Sequence, residues 1–174
     1  MLDISVSYNR YKFLGHEFLT WLWFVAENDH GKIPKSEEGL ASLAVGNRIV
    51  LENNQRNVVE SITIKGDDAG LEEGILALRK GAFVTEINLF YKLDDQEWYF
   101  TIKGESLSIS GLRTPDTGSI GSRKDLDGAV IEKTYLYNEI IQLIDILFKE
   151  FIKLRISEDW DSTVVPRIRQ WIYS

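Results

Sequence analysis

The chain contains no cysteine. That excludes a disulfide framework, a thiolate nucleophile and any cysteine-ligated zinc or iron–sulfur centre, and it suits a reducing compartment. Histidine is scarce, with only His16 and His30 in 174 residues, so an imidazole base has just two places to come from. Basic charge is in deficit: 20 Lys and Arg stand against 27 Asp and Glu, a net charge of -7. The surface as a whole therefore repels phosphate, and binding to nucleic acid requires a local basic island. No apolar stretch runs to the roughly 20 residues of a membrane-spanning helix. The opening Met1-Leu2-Asp3-Ile4-Ser5 lacks the basic and apolar regions of a secretory signal, so a cytoplasmic location is the expectation.

What is present is an aromatic-rich globular composition, with five Trp, seven Tyr and eight Phe, long enough for a single core. Residues 1–12 read as a lead-in, with Ile4, Val6 and Tyr8 at edge-strand spacing. From Leu14 the period becomes helical, through Phe18, Trp21, Leu22 and Val25, and Asn28-Asp29-His30-Gly31 reads as its stop. Gly39–Val45 and Arg48–Glu52 read as two strands about a Gly46-Asn47 turn, with Asn53-Asn54-Gln55 as the next turn. The strand through Val58, Ile62 and Ile64 has the composition of one covered on both faces. A short helix from Leu71 to Lys80 ends at Gly81, a C-cap glycine. Three alternating strands follow, Ala82–Lys92, Glu97–Lys103 and Ser106–Leu112, with Phe90 as the exception on its face. Residues 113–128 form the only linker-like segment. A long helix from about Ala129 to Ile156 and a short one from Ser162 to Tyr173 complete the chain. The prediction is a single α+β domain over residues 1–174. An antiparallel sheet of about five or six strands packs against an N-terminal helix and a long C-terminal helix.

Chemical signatures are few. His16-Glu17 resembles the opening of a metalloprotease helix, but Thr20 stands where the second histidine must be; a solvated histidine beside an exposed glutamate is the expectation. Acid pairs occur at Asp67-Asp68, Glu72-Glu73, Asp94-Asp95 and Glu158-Asp159, mostly at turns and helix starts where carboxylates are favourable. Asp67, Asp68 and Glu72 would be the first candidates for a metal-dependent nuclease. No G-x-S-x-G elbow is present, and Gly118-Ser119-Ile120-Gly121-Ser122-Arg123-Lys124 lacks phosphate-loop spacing. Trp21-Leu22-Trp23-Phe24 has the spacing of core packing rather than of a base-stacking platform. The candidate cations to meet phosphate are Lys65 and Lys103 at strand ends, and Arg113, Arg123 and Lys124 flanking the linker; Lys92 is a further strand-end lysine that rims or solvates the sheet. No catalytic residue, metal ligand or cofactor is predicted.

The segment from Val59 to Leu112 resembles the C-terminal part of the bacterial recombination-associated protein RdgC family. Lys65-Gly66-Asp67 is similar to that family's strand ending in a Lys-polar-Asp turn. Gly81-Ala82-Phe83-Val84-Thr85-Glu86-Ile87-Asn88-Leu89 is similar to its Gly-x-x-Val-Thr-x-x-x-Leu strand, and Leu19-Thr20-Trp21-Leu22-Trp23 to its Thr-x-Trp-like helix. The opening from Phe13 to Trp23 also resembles shorter chains grouped with the family. The resemblance implies a nucleoid-associated, noncatalytic, sequence-independent DNA binder that acts as a dimer encircling duplex DNA and restrains recombinase filaments. It gives Lys65 the role of a lysine facing the DNA, while Gly66 replaces a polar neighbour. The chain is expected to lack the family's N-terminal half, so encirclement would require a different mode of oligomerisation, and the helix from Ala129 has no matched residues. Two alternatives remain, a protein-interaction module that keeps the fold without binding DNA, and a metal-dependent nuclease.

Overall fold

The computed structural model describes residues 4–28, 41–55, 58–65, 68–117 and 123–174. In chain order they form α1 (Ile4–Asn28), β1 (Ala41–Gln55), β2 (Val58–Lys65), α2 (Asp68–Arg79), β3 (Phe83–Leu93), β4 (Gln96–Lys103), β5 (Ser108–Arg113), α3 (Arg123–Arg155), a π-helical turn (Trp160–Val164) and α4 (Val165–Tyr173). The five strands make one antiparallel sheet in the order β2-β1-β3-β4-β5. This is the expected α+β architecture, with an N-terminal and a long C-terminal helix against the sheet.

One row of isoleucines organises the sheet. Ile64, Ile49, Ile87, Ile102 and Ile109 are successive register partners across all five strands. The first four are buried and the last is partly buried against the same core. Leu43, Leu51, Leu89, Tyr91, Trp98 and Phe100 join them in the core. Helix α1 contributes Phe18, Leu22 and Trp23, and α3 contributes Leu136, Ile140, Leu143, Leu147 and Phe151. Each large side chain fully buried in this way stabilises the fold by about 1.5–3 kcal/mol before entropy is counted. The Trp98 indole N–H donates to the Leu136 carbonyl at 3.1 Å, fixing α3 on β4. Phe18, Trp21, Phe148, Phe151 and Trp160 form a continuous ring cluster, with Phe18 edge-on to Phe148 at 5.1 Å and Phe151 edge-on to Trp160 at 5.6 Å. The Trp21–Phe24 stripe is thus core.

Two glycines are dictated by geometry. Gly81 has φ 87° and ends α2 in the left-handed conformation predicted for a C-cap. Gly15 faces the β4–β5 turn so closely that a Cβ there would lie 1.7 Å from the Gly104 carbonyl oxygen. Gly104 is itself tied to β3 by its N–H donated to the Thr85 carbonyl at 2.8 Å.

Several expectations are corrected. Residues 4–12 belong to α1, not to an edge strand. Gly46-Asn47 does not turn the chain: β1 is one strand, irregular between Val45 and Ile49. There, four steps along β1 oppose two along β3, from Leu89 to Ile87. The extra length is an even number of residues, so the inward face is kept on both sides of the irregularity. Asn53–Gln55 continue β1 and pair with β2. Strand β2 is not covered on both faces at its described end, since Ser61, Ile62 and Thr63 are exposed there and only Ile64 is buried. It lies at the sheet edge. Ser106 and Leu107 belong to the β4–β5 turn rather than to β5, with Leu107 at φ 53°. Helix α3 starts at Arg123, six residues before the predicted Ala129. Asp125 and Asp127 suit a helix N-terminus, and one interior glycine, Gly128, costs only about 1 kcal/mol. The last helix is preceded by the π-helical turn, and Pro166 lies in its first turn as predicted. Residues 29–40, 66–67 and 118–122 lie outside the described residues, and with them most of the expected α1 stop, the start of the Gly39–Val45 strand and the Gly66-Asp67 turn.

Tyr91 is fully buried on the core face. Burial first, then the nearby Glu139 carboxylate and Asp94, push its phenol up from the usual 10 to about 12. Its hydroxyl lies near Glu139 but without a hydrogen bond of normal geometry. Among the described residues, no helix is long and apolar enough to cross a membrane.

Candidate nucleic-acid interface

Side chains alternate along a strand, so each buried isoleucine has a neighbour directed to the opposite face. Beside Ile64, Ile49, Ile87 and Ile102 stand Lys65, Arg48, Glu86 and Lys103. Lys65 is the register partner of Arg48, and Glu86 that of Lys103. The charged residues form a staggered row: Lys65 and Arg48 lie to one side of the isoleucines on β2 and β1, and Glu86 and Lys103 to the other side on β3 and β4, because Glu86 is level with Val50 and not with Arg48. Glu86 is held between two cations, with Arg48 Nη2 at 3.4 Å and Lys103 Nζ at 3.6 Å. The Arg48 and Lys103 side chains are 44% and 51% exposed, so these pairs are screened and add little to stability. What the row keeps is an excess of positive charge, three cations to one carboxylate, on an anionic molecule.

Lys65 and Lys103, both predicted from sequence, are brought into this row. Arg48 was missed. The signal for it is its place next to an inward Ile49, which becomes legible once β1 is known to be one strand. Arg113 ends β5 opposite Tyr99, four residues along β4 from Lys103, or roughly 13 Å. It is on the sheet but beyond the row. Level with Arg113 the rings of Phe90 and Tyr99 meet at 4.8 Å, with Tyr99 43% exposed. That contact explains why Phe90 departs from the polar pattern of its face. Lys92, at the far end of β3, is paired with Glu97 at 3.9 Å. Arg123 and Lys124 are not loop residues as expected; they are the first two residues of α3.

Arg48, Glu86 and Lys103 also form one side of a cavity of about 870 Å³. Across it lie α1, with His16 and Glu17, and the C-terminal segment, with Trp160 and Arg169. His16 is not solvated as expected: it is half-buried and stacked on Phe83 at 4.6 Å. Glu17 accepts a hydrogen bond from Arg155 Nε at 2.7 Å, and the Arg155 guanidinium lies 5.3 Å from the Trp160 ring. Glu17, Glu52, Glu86 and Glu105 outnumber Arg48, Lys103 and Arg169 in the lining, so the cavity has a small acidic excess.

Among the described residues, no three His, Asp or Glu side chains lie together to hold a metal ion. Of the acids weighed for a nuclease, Glu72 is exposed on α2 and Asp94-Asp95 form the β3–β4 turn. Glu158-Asp159 precede the π-helical turn. Asp67 lies outside the described residues. The chain matches no family model and no curated protein.

Proposed function

We propose that the protein binds duplex DNA without reading its sequence, through the outward face of the sheet, and performs no chemistry on it. The observation that carries this reading is the staggered group Lys65, Arg48, Glu86 and Lys103, two register pairs joined by the diagonal Arg48–Glu86 ion pair, with three cations to one carboxylate over four strands. Ammonium and guanidinium groups gathered on one sheet face are suited to a phosphate backbone, with affinity drawn from counterion release. The RdgC-like resemblance supports the same reading. With it come a homodimer, a location at the nucleoid in the cytoplasm, and an influence on recombination exerted by occupying the duplex.

The test is fluorescence anisotropy with a random-sequence duplex across a salt series. Binding at low salt is expected to fall steeply as salt rises. Lys65→Glu and Arg48→Glu should each weaken it on the order of tenfold, equally for different base sequences. A folded protein that fails to bind at low salt ends the reading. An unchanged affinity in Lys65→Glu removes Lys65 from the contact set.

A second reading, a protein-interaction module, is favoured by the small acidic excess of the cavity. Recovery of one stoichiometric basic protein partner in nuclease-treated extract, by a protein that does not bind DNA, would select it.

A further inference from the structure

The cavity beside α1 owes its lining to an irregularity in the sheet. Between Val50 and Leu51 one step along β1 opposes two along β3, from Glu86 to Val84, with Thr85 as the extra residue. This is a β-bulge, a device that re-aims side chains and recurs next to active sites. Because of it Phe83 and Glu86, three residues apart, share one face of the sheet, Phe83 level with Glu52 and Glu86 level with Val50. A second irregular element contributes from the opposite wall. The π-helical turn places the buried Trp160 in the lining, and such turns are frequent at functional sites. At about 870 Å³ the cavity has the size of a small-molecule site, for which roughly 300–1,000 Å³ is usual.

The charges of the lining are balanced but separated. Glu17 is answered by Arg155, which is not in the lining. That leaves Glu52, Glu86 and Glu105 against Arg48, Lys103 and Arg169, the last on the α4 side. Arg48 and Lys103 share the single carboxylate of Glu86, so this end keeps a positive charge. Glu52 and Glu105 make no ion pair among the described residues. Glu52 stands beside Phe83, and the Gly104 N–H donated to the Thr85 carbonyl carries Glu105 toward the same end. Along the strands the acidic end lies two to four residues from Lys103 and Arg48, or about 7–13 Å. Phe83, stacked on His16 at 4.6 Å, joins Trp160 and Ile168 as the apolar part of the lining.

We propose that this cavity binds a small zwitterion whose anionic and ammonium groups stand about 10 Å apart across an apolar middle, the span of an extended tripeptide with free termini. The anionic group is held by Arg48 and Lys103, and the ammonium by Glu52 and Glu105. A ligand of one sign would leave one end of the cavity facing its own charge. The proposal goes beyond the DNA reading and does not rest on it.

Isothermal titration calorimetry of the full chain without DNA tests it. The probes are the tripeptide Ala-Leu-Ala and ω-aminooctanoate, which has a similar charge separation and no amide groups. Saturable binding of at least one is expected at millimolar concentration, and tighter binding of the tripeptide would assign the middle of the site to peptide amides. N-acetylation or C-amidation of the bound probe should each weaken binding about tenfold, the worth of a hydrogen bond to a charged group. Glu52→Gln with Glu105→Gln should abolish the discrimination against the acetylated form, and Lys103→Gln should reduce that against the amidated form. Circular dichroism of each variant checks that it is folded. No saturation by either probe overturns the proposal, and so does equal binding of the free and blocked forms. Discrimination that survives Glu52→Gln with Glu105→Gln overturns the placement of the ammonium. Because no DNA is present, failure here leaves the anisotropy result standing, and failure of duplex binding leaves this site standing.

Discussion

The two ends of α3 are both rich in apolar residues and meet different surroundings. Ile144, Leu147 and Phe151 lie in the core, while Leu126, Val130 and Ile131 are open. The buried line through Leu136, Ile140, Leu143, Leu147 and Phe151 ends at Leu136, and the apolar residues before it are exposed. A hydrophobic period specifies a face that needs cover, and the neighbours decide whether the cover comes from the same chain.

The largest effect expected from that contrast is in stability. Phe151→Ala removes a ring in contact with Phe18, Trp21, Phe148 and Trp160 and should cost about 3–5 kcal/mol, read from urea unfolding. Tyr135→Ala, at a side chain 67% exposed, should stay within about 0.5 kcal/mol of wild type. Equal costs at the two positions would erase the contrast.

The core face should also be distinguishable by pH. The Tyr91 phenol is raised by burial to about 12, so the fold favours its neutral form. That contribution is complete below pH 10 and is lost as pH rises through about 12, to a limit of about 2–3 kcal/mol. Chemical unfolding at a series of alkaline pH values should show the loss, and Tyr91→Phe should flatten it. A Tyr91→Phe curve parallel to wild type would mean that other groups govern alkaline unfolding.

A smaller effect is expected where α1 meets the β4–β5 turn. Gly15→Ala would put its Cβ into the Gly104 carbonyl and force the backbones apart, at about 1–3 kcal/mol. Thermal unfolding reads this directly, and an unchanged midpoint would show that α1 docks less closely. The smallest effect belongs to the open sheet face. Glu86→Gln releases Arg48 and Lys103 from their shared carboxylate. It should strengthen duplex binding several-fold, about 1 kcal/mol, with a steeper salt dependence. Weaker binding would mean that Glu86 positions the two cations and does not merely neutralise them.

Much of the fold was legible because the signals are local. Alternation in β3 and β4, the Gly81 cap and the 3.6-residue period of α1 and α3 each depend on residues close in sequence. The errors share a cause. Gly46-Asn47 has the composition of a turn, but pairing with β3 on both sides holds β1 straight through it. Ile4, Val6 and Tyr8 alternate like a strand, yet they continue a helix already propagating from residue 28 back to residue 4. Gly118-Ser119 and the residues after it suggest a long linker, but α3 begins inside that segment. For the candidate site, Lys65 and Lys103 were legible as strand-end cations, whereas Arg48 was hidden by the misplaced turn.

By itself the sequence determined which side chains face inward, because alternation and helical period are properties of consecutive residues. It also set the anionic total and the absence of thiol chemistry. Only the tertiary structure decided which charges became neighbours. Lys65 meets Arg48, and Glu86 meets Lys103, through inter-strand register. Register is fixed by hydrogen bonding and by the burial of the isoleucine row across all five strands at once, not by any one segment.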